Sequence, residues 1–199
     1  MRNTVWKCFA CLLCLGTGRI AFAHTGHDSG SLFSGLAHPF GFDHLLAMLA
    51  VGLWSVTNLP GNKIWQGPAA FLSALLISSV AGSHIGNIPY LDLLIAGSVL
   101  LFGAMLIVPQ HFVRASSGLV LIISAAALHG LAHGAEAPER GFSAYVAGFL
   151  ASSALLHLTG IRLGKAIEQY CQTQARLATG MLGAGIGGAG LFLLGQISA

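Results

Sequence analysis

Charge is what this sequence has least of. Asp, Glu, Lys and Arg make up 8% of its 199 residues, against about 25% in soluble domains. So few charges cannot cover a water-soluble globule, which argues against a soluble enzyme, a nucleic-acid-binding protein and a disordered tail. Cysteine gives no framework either. Cys8, Cys11 and Cys14 form a C-x-x-C-x-x-C run, but they fall in a leader-like segment, and Cys171 alone cannot make an internal disulfide. No G-x-x-x-x-G-K-[ST] occurs, so a nucleotide-hydrolysing loop is absent as well. What remains is apolar: 55% hydrophobic residues, a mean hydropathy of +0.77, and nine histidines against six acids. An integral membrane protein with something polar inside it fits that balance.

Residues 1–23 read as a cleaved secretory signal. Arg2 and Lys7 precede the apolar stretch Phe9-Ala10-Cys11-Leu12-Leu13-Cys14-Leu15, and Ala21-Phe22-Ala23 makes an A-x-A cleavage site. The apolar core is short for a retained helix. Cleavage leaves residues 24–199, beginning His24-Thr25-Gly26-His27-Asp28, with equal numbers of basic and acidic residues. The net +3 of the whole chain therefore says nothing about acidic partners, and no nucleic acid is expected.

Six apolar stretches follow, at residues 39–56, 65–83, 90–108, 115–133, 142–161 and 177–197. Each is long enough to cross about 30 Å of hydrocarbon as a helix. The connectors are short and carry the breakers, such as Asn58-Leu59-Pro60-Gly61 and Gly86-Asn87-Ile88-Pro89. The expected fold is an all-α integral membrane protein, a compact bundle of six transmembrane helices forming one permease domain over 24–199. With the mature N-terminus outside, Lys63, Arg114, Arg162, Lys165 and Arg176 fall in inner loops and only Arg140 in an outer one. That asymmetry obeys the positive-inside rule and puts both termini on the periplasmic side of an inner membrane. Gly183 and Gly187 in the last span form a G-x-x-x-G ridge, read as tight packing within the bundle or between protomers rather than as a sliding face.

Ionisable groups inside spans are costly and mark a pathway or a pair by default. The first span opens His38-Pro39-Phe40-Gly41-Phe42-Asp43-His44. His38, before a proline, is biased away from helix, and six residues of helix turn His44 about 240° away from it. A break at Gly41 is needed for His38, Asp43 and His44 to converge. The fourth span ends His129-Gly130-Leu131-Ala132-His133-Gly134-Ala135-Glu136. His129 and His133, four apart, share a helical face, and Glu136 follows one turn later. Both clusters fall in the outer half of the membrane, as do His84 and Asp92. Imidazole with carboxylate and no thiolate suits a divalent first-row metal such as Ni, Zn or Co. His24 and His27 would gather ions at the surface. His157 reads as helix packing rather than an exit ligand, Met48 as core, and His111 as solvated.

The motif His38-Pro39-Phe40-Gly41-Phe42-Asp43-His44-Leu45-Leu46-Ala47-Met48, with His129-Gly130-Leu131-Ala132-His133-Gly134-Ala135-Glu136, resembles the HupE/UreJ family of hydrogenase and urease accessory membrane proteins. The resemblance implies a six-helix nickel permease that supplies metalloenzyme maturation. It assigns transport roles to His38, Asp43 and His44, to His129 or His133, and to Glu136. Two departures stand out. Four residues separate His38 from the Asp-His pair where the family pattern has five, and Asp92 stands where the family tends to have Glu near the start of the third span. The expected activity is metal uptake without ATP and without enzymatic chemistry, with Ni²⁺ as substrate and no organic cofactor. The alternatives are uptake of Co or Zn, a non-transporting metal-binding protein, and a bis-histidine haem protein using His44 and His129. No H-E-x-x-H supports an intramembrane metalloenzyme.

Overall fold

The computed structural model describes residues 32–198 apart from 87, 110, 111, 113 and 139. The signal segment, His24, His27 and His111 lie outside the described residues. Among those described the chain is entirely helical, without a strand. The helices are α1 (Leu32–Ala37), α2 (Phe42–Asn58), α3 (Gln66–Ile85), α4 (Leu91–Ile107), α5 (Ala115–Glu136), α6 (Phe142–Cys171) and α7 (Ala175–Ser198).

Every apolar stretch read from the sequence is helical, and helices α2 to α7 carry them in order. Among the described residues, length and apolar composition qualify three helical segments as able to cross a membrane: Gly61–Ile85, Ala115–Glu136 and the 56-residue Phe142–Ile197. A fourth is added if the bent pair Leu32–Phe40 and Phe42–Asn58 is one span. A straight helix of 56 residues would run about 84 Å, far beyond a 30 Å hydrocarbon core. The 3-10 turn Gln172–Gln174 interrupts it between α6 and α7.

Two features differ from the sequence expectation. α1 precedes the first expected stretch. It packs on α6 so closely that a Cβ on Gly35 would lie 2.0 Å from the Tyr145 carbonyl oxygen. α6 also continues ten residues beyond its expected end at 161, so Arg162 and Lys165 ride on the helix rather than in a loop. The extension is amphipathic, with Gly164 and Ile167 buried between exposed Arg162, Lys165 and Glu168, which is why hydropathy alone cut it short.

Glycine sets the helix pairing. α2 and α6 run in parallel, with Gly52 against the His157 carbonyl and Gly160 against that of Leu49. α3 and α5 are also parallel, through Gly82, Gly130 and Gly134. α7 lies antiparallel to α4, where Gly103 meets Gly187 and Gly190 meets Leu100. The ridge of the last span is thus used for tight packing inside the chain. Arg176 at the start of α7 donates to the Leu106 and Ile107 carbonyls, satisfying the open end of α4. The core between these pairs is built from Met48, Phe71, Leu75, Phe102, Ile122 and Phe149.

Candidate metal centre

The chain bends sharply where the histidines gather. Pro39 stands in the first turn of the 3-10 helix His38–Phe40, where its fixed φ and missing N–H are tolerated. Gly41 (φ −54, ψ 142) then interrupts the helix, and α2 leaves at 76° to the segment before it. This break overcomes the 240° separation of a continuous helix. His38 and His44 meet with ring centroids 5.6 Å apart.

His133, from the last turn of α5, completes the group. Its ring centroid lies 4.3 Å from that of His38 and 4.5 Å from that of His44. One ligand nitrogen from each of the three lies within 4.8 Å of the others, and among the described residues this is the group arranged to hold a metal ion. His44 and His133 are buried, and His38 is half-buried.

Asp43 acts one bond further out. Its Oδ1 accepts from the His44 backbone N–H at 2.9 Å and from Nδ1–H at 2.8 Å. The carboxylate thereby fixes the ring and leaves Nε2 as the donor atom, the arrangement that orients metal-bound histidines. That Nε2 faces the Nε2 of His133 at 2.5 Å. In the absence of a metal His133 Nε2–H donates to the His44 lone pair, and a metal ion held by both rings would replace that proton.

His129, one turn before His133, is also fully buried, and its ring meets the ring of His44 at 4.9 Å. The face predicted from the four-residue spacing is therefore the face that flanks His44. An aromatic wall closes the other side. Tyr145 and Phe149 stack in parallel planes at 6.4 Å, and Phe149 approaches His133 at 4.4 Å and His38 at 5.9 Å. Sequence reasoning missed these rings, because aromatics in a span look the same whether they face lipid or a site.

Glu136 and Asp92 line a cavity of about 700 Å³, with Tyr90, Leu91, Ala132 and Ala135. Both carboxylates are exposed. His133 and Glu136 share the last turn of α5, but none of the three clustered histidines lines this cavity. Tyr90 holds a left-handed backbone (φ 63) at the start of α4, a costly conformation for a residue with a Cβ. His84 is exposed at the last turn of α3 and does not join the three histidines. Met48 is fully buried core, as expected, and His157 is fully buried with its Nδ1 on the Met48 carbonyl.

The profile of the family described as "HupE / UreJ protein" matches residues 12–193. A curated relative, "Protein HupE" from Rhizobium leguminosarum bv. viciae, is 36% identical over 176 residues, covering 85% of this chain and 89% of its own. No solved structure matches the chain.

Proposed function

The chain belongs to the HupE/UreJ family, and from that premise we propose that it is a nickel permease of the bacterial inner membrane. It would deliver Ni²⁺ to the cytoplasm for hydrogenase or urease maturation without catalysing a reaction. The observation that carries the reading is the meeting of His38, His44 and His133 from three separate elements, with Glu136 of the same α5 turn as His133 and Asp92 together at a cavity. Asp92 and Glu136 draw a hydrated dication into the cavity. The three imidazoles then replace part of its water shell. Neutral nitrogen donors bind a borderline ion firmly yet release it, which several thiolates would not.

In this reading helices α2 to α7 are six crossings, with α1 and its 3-10 turn folded back at the outer end. The signal peptide is removed, and both mature termini face the periplasm. Lys63, Arg114, Arg162, Lys165 and Arg176 stay on the cytoplasmic side. An inside-negative potential provides about 4.6 kcal/mol per 100 mV for a dication, twice the single-charge value. That corresponds to roughly 2,000-fold accumulation per 100 mV, so nucleotide hydrolysis is unnecessary. Co²⁺ and Zn²⁺ are the competing substrates for such a donor set. The haem alternative loses support because the His44 and His129 rings pack against each other, leaving no space for a porphyrin between them.

The test is uptake of Ni²⁺ into liposomes containing the purified protein. Uptake should accelerate with an inside-negative potential and disappear in His44→Ala, with the variant still folded and inserted. Potential-independent uptake that His44→Ala leaves intact would refute the proposal.

A further inference from the structure

Beyond the three clustered histidines, the imidazoles continue inward, and hydrogen bonding alone does not account for them. His129 and His157 are fully buried. In each, Nδ1–H donates to a backbone carbonyl at 2.9 Å, that of Ala125 for His129 and that of Met48 for His157. The carbonyl can only accept, so the proton sits on Nδ1 and each Nε2 carries a lone pair. Neither Nε2 has a hydrogen-bond partner. Bare buried acceptors are uncommon in packed interiors and call for a reason. Ser153, one turn before His157 on α6, is fully buried with an unpartnered Oγ as well.

The positions of these groups have an order. The His129 ring touches that of His44 at 4.9 Å on one side and the edge of Phe71 at 5.8 Å on another. Phe71 in turn meets His157 at 5.0 Å. His157 bonds to the carbonyl of Met48, one turn of α2 below His44, and its own carbonyl abuts Gly52, a further turn down. The column therefore runs His44, His129, Phe71, His157, from the clustered histidines into the core. Phe71 itself is fully buried, and its ring packs against both imidazoles.

We propose that His129 and His157 are successive one-donor stations for a divalent cation moving inward from the clustered histidines, with Phe71 as the gate between them. This inference rests on the transport reading above and adds the route and the gate. A single imidazole at each station binds a first-row dication weakly, as a conducting path requires. The Ser153 hydroxyl supplies an oxygen donor near the second station. Rotation of the Phe71 ring joins the two stations and its return separates them.

Two substitutions test it in proteoliposomes and in detergent. His157→Asn places an amide N–H where Nδ1–H donates, keeping the bond to the Met48 carbonyl, and removes the Nε2 donor. Ni²⁺ uptake should fall about 10-fold or more, as for loss of a metal-contacting group, while equilibrium Ni²⁺ binding to purified protein stays within about twofold of the original. Phe71→Leu should raise the uptake rate about threefold or more, again with equilibrium binding unchanged. Undiminished uptake by His157→Asn, or no acceleration by Phe71→Leu, overturns the inference, and if His157→Asn does not fold, the Phe71→Leu result decides alone. An unmodified protein that takes up no nickel removes this inference together with the transport reading. Uptake that neither variant alters removes this inference only.

Discussion

Two helix pairs in this chain use glycine in the same way and differ in what the closeness is for. In α3 with α5, a Cβ on Gly134 would lie 2.0 Å from the Ser79 carbonyl oxygen, and one on Gly130 would lie 1.9 Å from the Ser78 hydroxyl. In α4 with α7, a Cβ on Gly190 would lie 2.5 Å from the Leu100 nitrogen and one on Gly103 2.4 Å from that of Gly187. Both pairs bring backbone against backbone, with the Ser78 hydroxyl also in the first. The first pair, however, has His129 and His133 beside its glycines, and the second has no histidine at all. Close approach is thus a general means of holding helices without a hydrophobic driving force. It becomes part of a site only where donors sit next to the small residues.

Breaking the donor set should produce the largest difference between the pairs. His44→Ala removes the residue that touches both His133 and His129. Isothermal titration should show Ni²⁺ affinity reduced about 100-fold or more. Asp43→Asn should cost about 10- to 100-fold in affinity while the ligand nitrogens remain, because the amide no longer offers His44 a charged acceptor in both of its hydrogen bonds. If Asp43 were merely a surface carboxylate, the affinity of that variant would stay unchanged.

Glycine substitutions sharpen the contrast. Gly134→Ala forces α5 away from α3 beside His133. It should lower stability by about 1–3 kcal/mol and also weaken metal binding, both readable from melting curves with and without Ni²⁺. Gly190→Ala should lower stability by a similar amount but leave the nickel-induced shift of the melting temperature intact. Gly185→Ala, whose added methyl meets nothing within 4 Å, should change neither.

Much of this layout was legible in the sequence because lipid restricts the choices. Backbone polar groups in hydrocarbon must bond within their own segment, so apolar runs bounded by Pro and Gly gave helices whose starts agree within three residues. His129 and His133 share a face because four residues make roughly one turn, and Gly41 supplies the break that brings His38 to His44. Three features were not legible. α1 is too short to register as a span and is held by its contact with α6. The last ten residues of α6 carry charges that hydropathy counts as loop. Phe71 has the same local pattern as any apolar residue of a span, and only the two histidine rings against it distinguish it. Asp92 and His84 were placed on one side together, yet only Asp92 lines the cavity with Glu136.

The central claim is that imidazoles from the 3-10 turn, α2 and α5 bind one dication together. X-ray absorption at the nickel edge of the Ni²⁺-loaded protein tests it most directly. Outer-shell scattering characteristic of about three imidazoles, reduced by one in His38→Ala, is the predicted result. A spectrum with oxygen ligands alone, identical in the His38, His44 and His133 alanine variants, would contradict it.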